Sequence, residues 1–522
     1  MPEAVDDNIQ PRKSPPGDGA DRAGRGSDPM TLRRRGICVV IPTYNNHGTI
    51  ADVVRRALFR CLDVIVVSDG STDGTLKILQ GIKDITLVHY EKNAGKGTAL
   101  KRGFEKALEM GFSYAITLDG DGQHFPEDIP LLVEANIQNP GCLIVGKRKG
   151  LETMQRSRGS KFANAFSNFW FAVQTGHYLK DTQTGYRLYP LKKLYGLGLL
   201  TSRYEAELEL MVFASWHGVR IVSTPVDVYY PPKEERVSHF RPAKDFTRIF
   251  VLNTVLCVLA LVYALPLKII RLILALLRNI YSFLVFAVLT LLVMTPAAML
   301  YMNIGKVTQK KRDNLHRLLQ SFSRFILLVH KIPGVRFTVG NPHKEDFSRP
   351  SLIICNHQSH LDLLALLIHS PRIVVLTNDW VWNDPFYGYV IRNAEFYPVS
   401  DGLEALLPRL RDLVERGYSI AVYPEGTRSK DCQIGRFHQG AFFLAQQLDL
   451  DILPMVLYGA GKALPKNQLW IHRYPVRVEI DERMTQSNLQ DCGQTLREKA
   501  SALRRYYKRR YQEMADRMEQ DV

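Results

Sequence analysis

Two constellations in this chain pair residue types that do chemistry at a fixed spacing. In Leu118-Asp119-Gly120-Asp121-Gly122-Gln123 two carboxylates stand one residue apart at the end of the apolar run 114–118. So placed, they can hold a hard divalent cation against a diphosphate, because Mg²⁺ keeps few protein ligands and takes the rest from phosphate and water. Alone, such a pair reads as a solvated turn; its place at a strand end, with Asp69 upstream, turns it toward function. The second constellation is His357 with Asp362, five positions on. A helix begun at His357 would not stack them as an i, i+4 pair. A turn ahead of the helix would let Asp362 hold the imidazole in the tautomer that accepts a proton.

Both constellations need strands to deliver them. Ile37-Cys-Val-Val-Ile41 reads as a buried strand ending in Pro42-Thr43-Tyr44-Asn45, followed by a helix over 49–59. A second strand, 64–67, stops at Ser68-Asp69-Gly70-Ser71-Thr72-Asp73-Gly74, and a third covers 85–89 after another helix. Strands alternating with helices predict a parallel sheet with ligands at its carboxyl edge. Asn93-Ala94-Gly95-Lys96-Gly97-Thr98 is not a P-loop: no Gly stands five positions before Gly95, and Gly97 fills the Ser/Thr place. It reads as a tight loop opening a helix, with Lys96 near phosphate. Further on, strand 351–355 delivers His357, strand 418–422 ends at Tyr423-Pro424-Glu425-Gly426-Thr427-Arg428-Ser429, and strand 451–459 follows a helical stretch after Gly440. The fold class expected is α/β in both halves.

The blocks Pro42 to Asn45, Ser68 to Gly74, Asn93 to Gly97 and Asp119 to Gln123 resemble the family 2 inverting glycosyltransferases, nearest the dolichyl- and polyprenyl-phosphate sugar transferases. Asp181-Thr-Gln-Thr-Gly185-Tyr-Arg187-Leu-Tyr189 and Tyr204-Glu205-Ala-Glu207 resemble the same branch. The resemblance implies a doubly wound sheet that binds a nucleotide sugar. It implies that Asp69 contacts the nucleotide, that Pro42 and Lys96 belong to the substrate-binding set, and that Asp119, Asp121 and Gln123 gather around Mg²⁺ or Mn²⁺. Arg148 and Arg158 would lie near the donor or acceptor phosphate. Ser68 stands where the family has the first Asp of a pair, which leaves the nucleotide open. A lipid-phosphate acceptor is already anionic and needs no general base. A hydroxyl acceptor would need one, and Asp181 is the candidate; alternatively Asp181 pairs with Arg187 or caps a turn.

His-x4-Asp, then Pro424 to Ser429, then Leu453-Pro454-Met455-Val456 resemble the membrane-associated glycerolipid acyltransferases, notably the lysophosphatidate type. That implies His357 as the base that takes a proton from an acceptor hydroxyl as it attacks an acyl thioester, with Asp362 orienting it. Glu425, Gly426, Thr427 and Arg428 would bind the acceptor, the guanidinium being suited to bidentate contact with phosphate. Two departures, Ser400 at the end of Phe396-Tyr-Pro-Val399 and Gln439 before Gly440, remove positive charge near the acceptor. They favour a glycolipid hydroxyl over ordinary lysophosphatidate. His360 is expected only to pack or bond locally.

Between the halves, 249–267 and 280–304 are apolar runs without a charged residue, each long enough to cross a hydrocarbon core. Lys268, Arg271 and Arg278 divide them. Two spans, one span, interfacial helices and buried core helices all fit this pattern. The net charge is +16, and clusters of base flank the runs, Lys233 to Arg248 and Lys306 to Arg312, a distribution for anionic headgroups on a cytoplasmic face. No aromatic and basic interleaving points to nucleic acid. Seven scattered cysteines read as reduced thiols. No apolar run precedes Ile37, which predicts no secretory signal. The loop Tyr229 to Arg241 either covers the first site against lipid headgroups or is plain surface. The amphipathic stretch 315–330 suits a membrane surface or core packing equally. The basic tail 498–521 reads as an exposed helix.

These readings divide the chain into a disordered tail (1–34), a glycosyltransferase domain (35–248), a membrane segment (249–305) and an acyltransferase domain with a basic C-terminal helix (306–522). Together they predict a bifunctional enzyme of glycolipid assembly on the cytoplasmic face of a membrane, a bacterial inner membrane. Its partners would be a nucleotide sugar, a lipid or polyprenyl-phosphate acceptor, and acyl carrier protein or acyl-CoA. The rival readings are an acyltransferase with a sensing first domain, and a scaffold of a lipid pathway.

Overall fold

Strand β1 (Ile37–Thr43) is buried along its whole length, as a near-continuous apolar run must be when helices cover both faces of its sheet. The computed structural model describes residues 29–149, 158–229, 242–332 and 334–520. Those residues fall into two units, one reaching Ile270 and the other spanning Arg271–Met518.

In the first unit β1 pairs in parallel with β2 (Val64–Asp69) and, on its other side, with β4 (Tyr114–Thr117). β3 (Ile85–Tyr90) lies outside β2. Beyond β4 come β6 (Arg187–Pro190), then β5 (Leu143–Arg148) and β7 (Ile221–Val226), in the order β3-β2-β1-β4-β6-β5-β7. β6 runs antiparallel between β4 and β5. Chain order reverses between β1 and β4, so a ligand crevice is expected where their carboxyl ends diverge. The β1–β4 ladder ends at Val40 opposite Thr117. Val40 accepts from Leu118 N on that side; two residues on, the missing N–H of Pro42 falls beyond the ladder and costs it no bond. Gly103 lets the Lys96–Glu109 helix lie against β1: a Cβ there would come within 2.5 Å of Val40 Cγ1.

Residues 29–34, expected to belong to a disordered tail, are ordered. Pro29–Arg34 is a short helix, Leu32 is buried in the core below β1, and Arg33 pairs with Asp63 at 2.6 Å. Residues 1–28 lie outside the described residues, as do residues 230–241 of the loop expected over the first site.

The two apolar runs are not separate helices. Thr247–Asn303 is one helix of 57 residues, long and apolar enough to cross a membrane. Lys268, Arg271 and Arg278 do not break it, because Lys and Arg are good helix formers and no Gly interrupts the stretch. Pro266 and Pro296 are absorbed in another way. Proline clashes with the carbonyl four residues back, and each is preceded by a π-helical stretch, Ala260–Ala264 and Val288–Met294. The wider turn makes room for the ring. Within the first unit Leu252 and Leu256 join the core and Gln174 Nε2 donates to Asn253 Oδ1 at 2.9 Å. Within the second, Met294, Ala298 and Met302 are buried, and Arg278 Nε donates to Ile471 O at 3.1 Å.

The second unit is built on a sheet ordered β10-β11-β9-β12-β13-β8, with β8 (Phe337–Gly340), β9 (Leu352–Cys355), β10 (Ile373–Val375), β11 (Ser419–Val422), β12 (Ile452–Tyr458) and β13 (Val476–Ile480). β13 runs antiparallel to β12; the other pairings are parallel. The Gln309–Val329 helix buries Leu315, Leu319, Ile326 and Leu327, so its apolar stripe packs the core. The basic tail is not a free surface helix. In Leu496–Gln520, Leu503, Tyr507 and Met514 are buried. Arg510 reaches Asp481 at 2.7 Å and Glu479 at 2.8 Å, and Tyr507 Oη donates to Ile354 O at 2.6 Å. This last bond braces the strand that leads to His357.

Candidate active sites

The first site lies at the carboxyl edge of β1, β2 and β4. Its loops are laced together: Thr72 N donates to Asn45 Oδ1 at 2.8 Å and Asn46 N to Thr75 Oγ1 at 2.9 Å. Asp69, the last residue of β2, is buried and turned toward the next loop. Its carboxylate accepts from Ala94 N at 2.7 Å, Gly95 N at 2.9 Å and Asn93 Nδ2 at 3.1 Å. That clamp fixes the start of the Lys96–Glu109 helix and so aims Lys96. Lys96 Nζ meets Asp119 Oδ1 at 2.7 Å and Glu207 Oε2 at 2.9 Å. Burial opposes its charge, but the two carboxylates outweigh burial and hold its pKa above the ordinary value. Burial likewise opposes ionisation of Asp119, and Lys96 more than offsets it, leaving that carboxyl below its usual range.

Asp121 is the other half of the pair. Burial and the Asp119 charge push its carboxyl up to about 6, while Gln123 N donates to its Oδ1 at 3.0 Å. His124 was not singled out from the sequence, yet it is buried beside the pair. Its Nδ1 lies 4.0 Å from Asp119 and has no hydrogen-bond partner among the described residues. Burial pulls its pKa down to about 4, so it is neutral at neutral pH. These residues fit a divalent cation: two adjacent carboxylates under mutual repulsion, with a neutral imidazole alongside. Among the described residues no three His, Cys, Asp or Glu side chains converge into a ready-made cage.

Asp181 does not pair with Arg187, but it caps its own turn, accepting from Gln183 N at 3.4 Å. It is buried, and Arg148 takes both its oxygens, Nε at 2.7 Å and a terminal nitrogen at 2.7 Å. Arg187 turns elsewhere, donating to Tyr189 Oη at 3.0 Å, Glu207 O at 2.9 Å and Thr182 O at 2.9 Å. Both carboxylate oxygens of Asp181 are thereby committed to a fork-shaped guanidinium. Arg158 opens the Arg158–Thr175 helix, and its side chain lies outside the described residues.

Gly185 closes the crevice from the side of β6. A Cβ there would stand 2.6 Å from Asp119 Oδ2 and 2.9 Å from Lys96 Nζ. Gly185→Ala is therefore expected to lower sugar transfer at least about tenfold by displacing that ion pair. Acyl transfer by the same preparation should not change, and parallel assays of both reactions on the full chain check this.

The second site is at the carboxyl end of β9. A turn follows Cys355, and the Leu361–Leu367 helix carries Asp362 in its first turn. That turn brings the side chains together across five positions: His357 Nδ1 and Asp362 Oδ2 are 2.9 Å apart. The same oxygen accepts from Gln358 N at 2.6 Å and Ser359 N at 2.8 Å, and Asp362 is fully buried. Three donors on one carboxylate oxygen fix the Nδ1–H tautomer of His357, leaving Nε2 as the acceptor. Tyr423 stacks on the imidazole, centroids 4.1 Å apart.

Glu425 does not face outwards. Its two oxygens accept from His357 N at 2.9 Å and Gly435 N at 2.8 Å, so it stitches two backbone segments together. Burial raises its pKa. Gly426 adopts φ +66°, in the left-handed region that glycine tolerates. Thr427 Oγ1 and Arg428 O both accept from Lys466 Nζ, at 2.8 Å and 2.7 Å. No spacing rule pointed to Lys466, which lies 38 residues from Arg428.

Residues 38–189 match the family model described as glycosyl transferase family 2, and residues 336–458 that described as acyltransferase. A UDP-N-acetylglucosamine–dolichyl-phosphate N-acetylglucosaminyltransferase of Methanococcus voltae is 30% identical over 217 residues, covering 37% of this chain and 86% of its own. The chain belongs to glycosyl transferase family 2. This family 2 glycosyltransferase carries an acyltransferase domain as well. The polyprenol monophosphomannose synthase of Mycolicibacterium smegmatis is 29% identical over 225 residues, 40% of this chain and 83% of that protein. On the acyltransferase side, a chloroplastic 1-acyl-sn-glycerol-3-phosphate acyltransferase of Brassica napus is 32% identical over 120 residues, 22% of this chain. The glycosyltransferase spans only 35% of the length of that plant protein.

Proposed function

We propose that the protein is a bifunctional enzyme of glycolipid assembly. The first domain transfers a sugar from a nucleotide sugar to a lipid phosphate, and the second transfers an acyl group from a thioester to a lipid or sugar hydroxyl. The observation that carries this reading is a contrast in bases. Asp181 is locked by Arg148, whereas His357 is held by Asp362 at one nitrogen and keeps the other as acceptor. The first domain is then suited to an acceptor that is already anionic, and the second to an alcohol that must lose a proton. The names of the Methanococcus and Mycolicibacterium relatives support the polyprenyl-phosphate class of acceptor.

In sugar transfer Asp119 and Asp121, with Gln123 beside them, would hold Mg²⁺ or Mn²⁺, which offsets charge on the departing nucleoside diphosphate. Lys96 keeps Asp119 ionised and in place. Asp69 shapes the nucleotide side of the crevice through the 93–95 loop, and Pro42, near the end of β1, belongs to the substrate-binding set. Arg158 serves the phosphates, while the Arg148 guanidinium is committed to Asp181. In acyl transfer the acceptor O–H gives its proton to His357 Nε2 while its oxygen attacks the thioester carbonyl. The C–S bond then breaks, and the thiolate of coenzyme A or acyl carrier protein leaves and takes up the proton. Thr427 and Arg428 bind the acceptor, and Glu425 holds the backbone of His357 in place.

The Thr247–Asn303 helix we assign to the membrane interface. Lys268, Arg271 and Arg278 in mid-helix would be costly at a bilayer centre and are at home among headgroups. The free thiols suit the cytoplasmic face of a bacterial inner membrane. The test is the choice of acceptor. With a nucleotide sugar and Mg²⁺, the full chain in micelles is expected to glycosylate a polyprenyl phosphate at least about a hundredfold faster than the matching polyprenol. Comparable rates on both would defeat the assignment.

A further inference from the structure

β10 and β9 run parallel with β11 between them, so both end on the same edge of the sheet, roughly 10 Å apart. His357 follows β9 on that edge, and a strap, Thr377 to Tyr387, follows β10. The strap is pinned to the segment 397–400. Thr377 N donates to Tyr397 O and Val399 N to Thr377 O, both at 2.9 Å, and Trp382 packs on Tyr397 with ring centroids 6.1 Å apart. This pinning brings Ser400 to Asp379, whose Oδ1 accepts from Ser400 Oγ. Trp380 meets His360 edge to face, ring centroids 5.8 Å apart, and His360 belongs to the turn that joins His357 to Asp362.

The strap carries rings and carboxylates but no base: between Arg372 and Arg392 there is no Lys or Arg. Asp384 accepts from Phe386 N at 2.8 Å and Tyr387 N at 3.1 Å, so it serves its own turn. Asp379 is exposed, and among the described residues its second oxygen takes no bond. Trp380, held from one side by His360, is still 51% exposed. An open indole beside an unoccupied carboxylate oxygen repels a phosphate and suits a pyranose. A sugar ring presents a face of C–H bonds, apolar and slightly positive, to the negative face of the indole. Its neighbouring hydroxyls donate to a carboxylate in charge-assisted bonds. Ser400 Oγ, with its proton turned to Asp379, keeps lone pairs for a further hydroxyl.

We infer that Trp380 and Asp379 hold the sugar ring of the acyl acceptor, with one of its hydroxyls presented to His357. This rests on the acyltransferase reading of His357 and names the class of acceptor: a glycolipid esterified on its sugar rather than on glycerol. The bond made is an ester at a ring hydroxyl and the bond broken is the thioester C–S. The proton passes through His357 Nε2 to the departing thiolate.

The test uses the full chain in a sugar-free detergent, with acyl-CoA and, in parallel, an acylated carrier protein. Acceptors are the octyl glycosides of glucose, mannose, galactose and N-acetylglucosamine, each below its own micelle concentration. 1-Monoacylglycerol and 1-acylglycerol 3-phosphate stand for comparison. At least one glycoside is expected to exceed both glycerolipids by about tenfold or more in kcat/KM. For that glycoside Trp380→Leu should raise KM roughly 10- to 100-fold with kcat held within about threefold, and Trp380→Phe should keep most of the wild-type affinity. Asp379→Asn, an exposed substitution that serves should the Leu variant not fold, should raise the same KM about tenfold. Transfer to monoacylglycerol should respond to none of the three. A glycerolipid preferred over all four sugars, or equal losses on glycoside and monoacylglycerol, would overturn the inference.

Binding separates this claim from the catalytic one. In a His357→Ala background, titration calorimetry is expected to show Trp380→Leu weakening glycoside binding by a similar factor and leaving monoacylglycerol unaffected. Tryptophan-dependent binding without turnover in wild type would remove only the acyltransferase reading. Turnover of glycosides with KM and binding indifferent to Trp380 would remove only the sugar seat, and neither turnover nor tryptophan-dependent binding would remove both.

Discussion

His357→Ala is expected to lower acyl transfer by roughly 10²- to 10⁴-fold, the range that a positioned general base contributes, while sugar transfer by the same molecule keeps its rate. The neighbouring carboxylates cannot stand in. Glu425 is bound to two backbone amides and Asp362 already holds three donors on one oxygen. Asp362→Asn tests the same geometry from behind. Its amide oxygen can take the place of Oδ2 and accept from the same three donors, with the N–H₂ group where Oδ1 has no partner among the described residues. What is lost is the negative charge that stabilises the imidazolium formed as His357 takes the proton, with a loss approaching that of the histidine variant. Initial rates with acyl-CoA, alongside thermal unfolding to exclude loss of the fold, decide the matter. A His357→Ala enzyme working at a tenth of the wild-type rate or better would leave the histidine with a purely structural role.

The second large effect concerns Asp121. Asp121→Ala should reduce release of nucleoside diphosphate by about 10²- to 10³-fold, as expected when a group that stabilises leaving-group charge is removed. Acyl transfer should be unaltered. Asp121 is a cleaner probe than Asp119, which is bound to Lys96 at 2.7 Å; removing Asp119 would leave that lysine with Glu207 alone. A titration with Mg²⁺ or Mn²⁺ gives an independent reading, since the variant should need more metal for the same residual rate. Unchanged release at saturating and at limiting metal would dismiss the carboxylate pair as the working site.

The parts of the fold legible in the sequence were those encoded locally. Strands such as Ile37–Thr43 and Val64–Asp69 are short apolar runs cut off by Pro, Gly, Ser and Asp, and those stops mark the carboxyl edge where ligands bind. The His357–Asp362 contact was legible too, because a single turn spans five residues. What escaped were partnerships decided by the sheet. Arg148 and Asp181 are 33 positions apart and meet near the end of β5, whereas Arg187, six positions from Asp181, was the nearer choice along the chain. Lys466 meets the 427–428 loop only after β12 and the short helix beyond it have formed. The continuity of the central helix was left open for a different reason. Its basic residues resemble a boundary when composition is averaged over a window, but helix continuity depends on backbone hydrogen bonds, which lysine and arginine leave intact.

Glu425 has a consequence for what can be inherited at that position. Both carboxylate oxygens face amide hydrogens, from His357 and from Gly435, and a Cβ on Gly435 would approach one of them to 2.7 Å. Glutamine, nearly the same size, would set its own N–H₂ against one of those amides, two donors with no acceptor between them. Aspartate is shorter by a methylene and would not span the gap. The codon is thereby confined to a single amino acid by backbone geometry alone, before any substrate exerts selection.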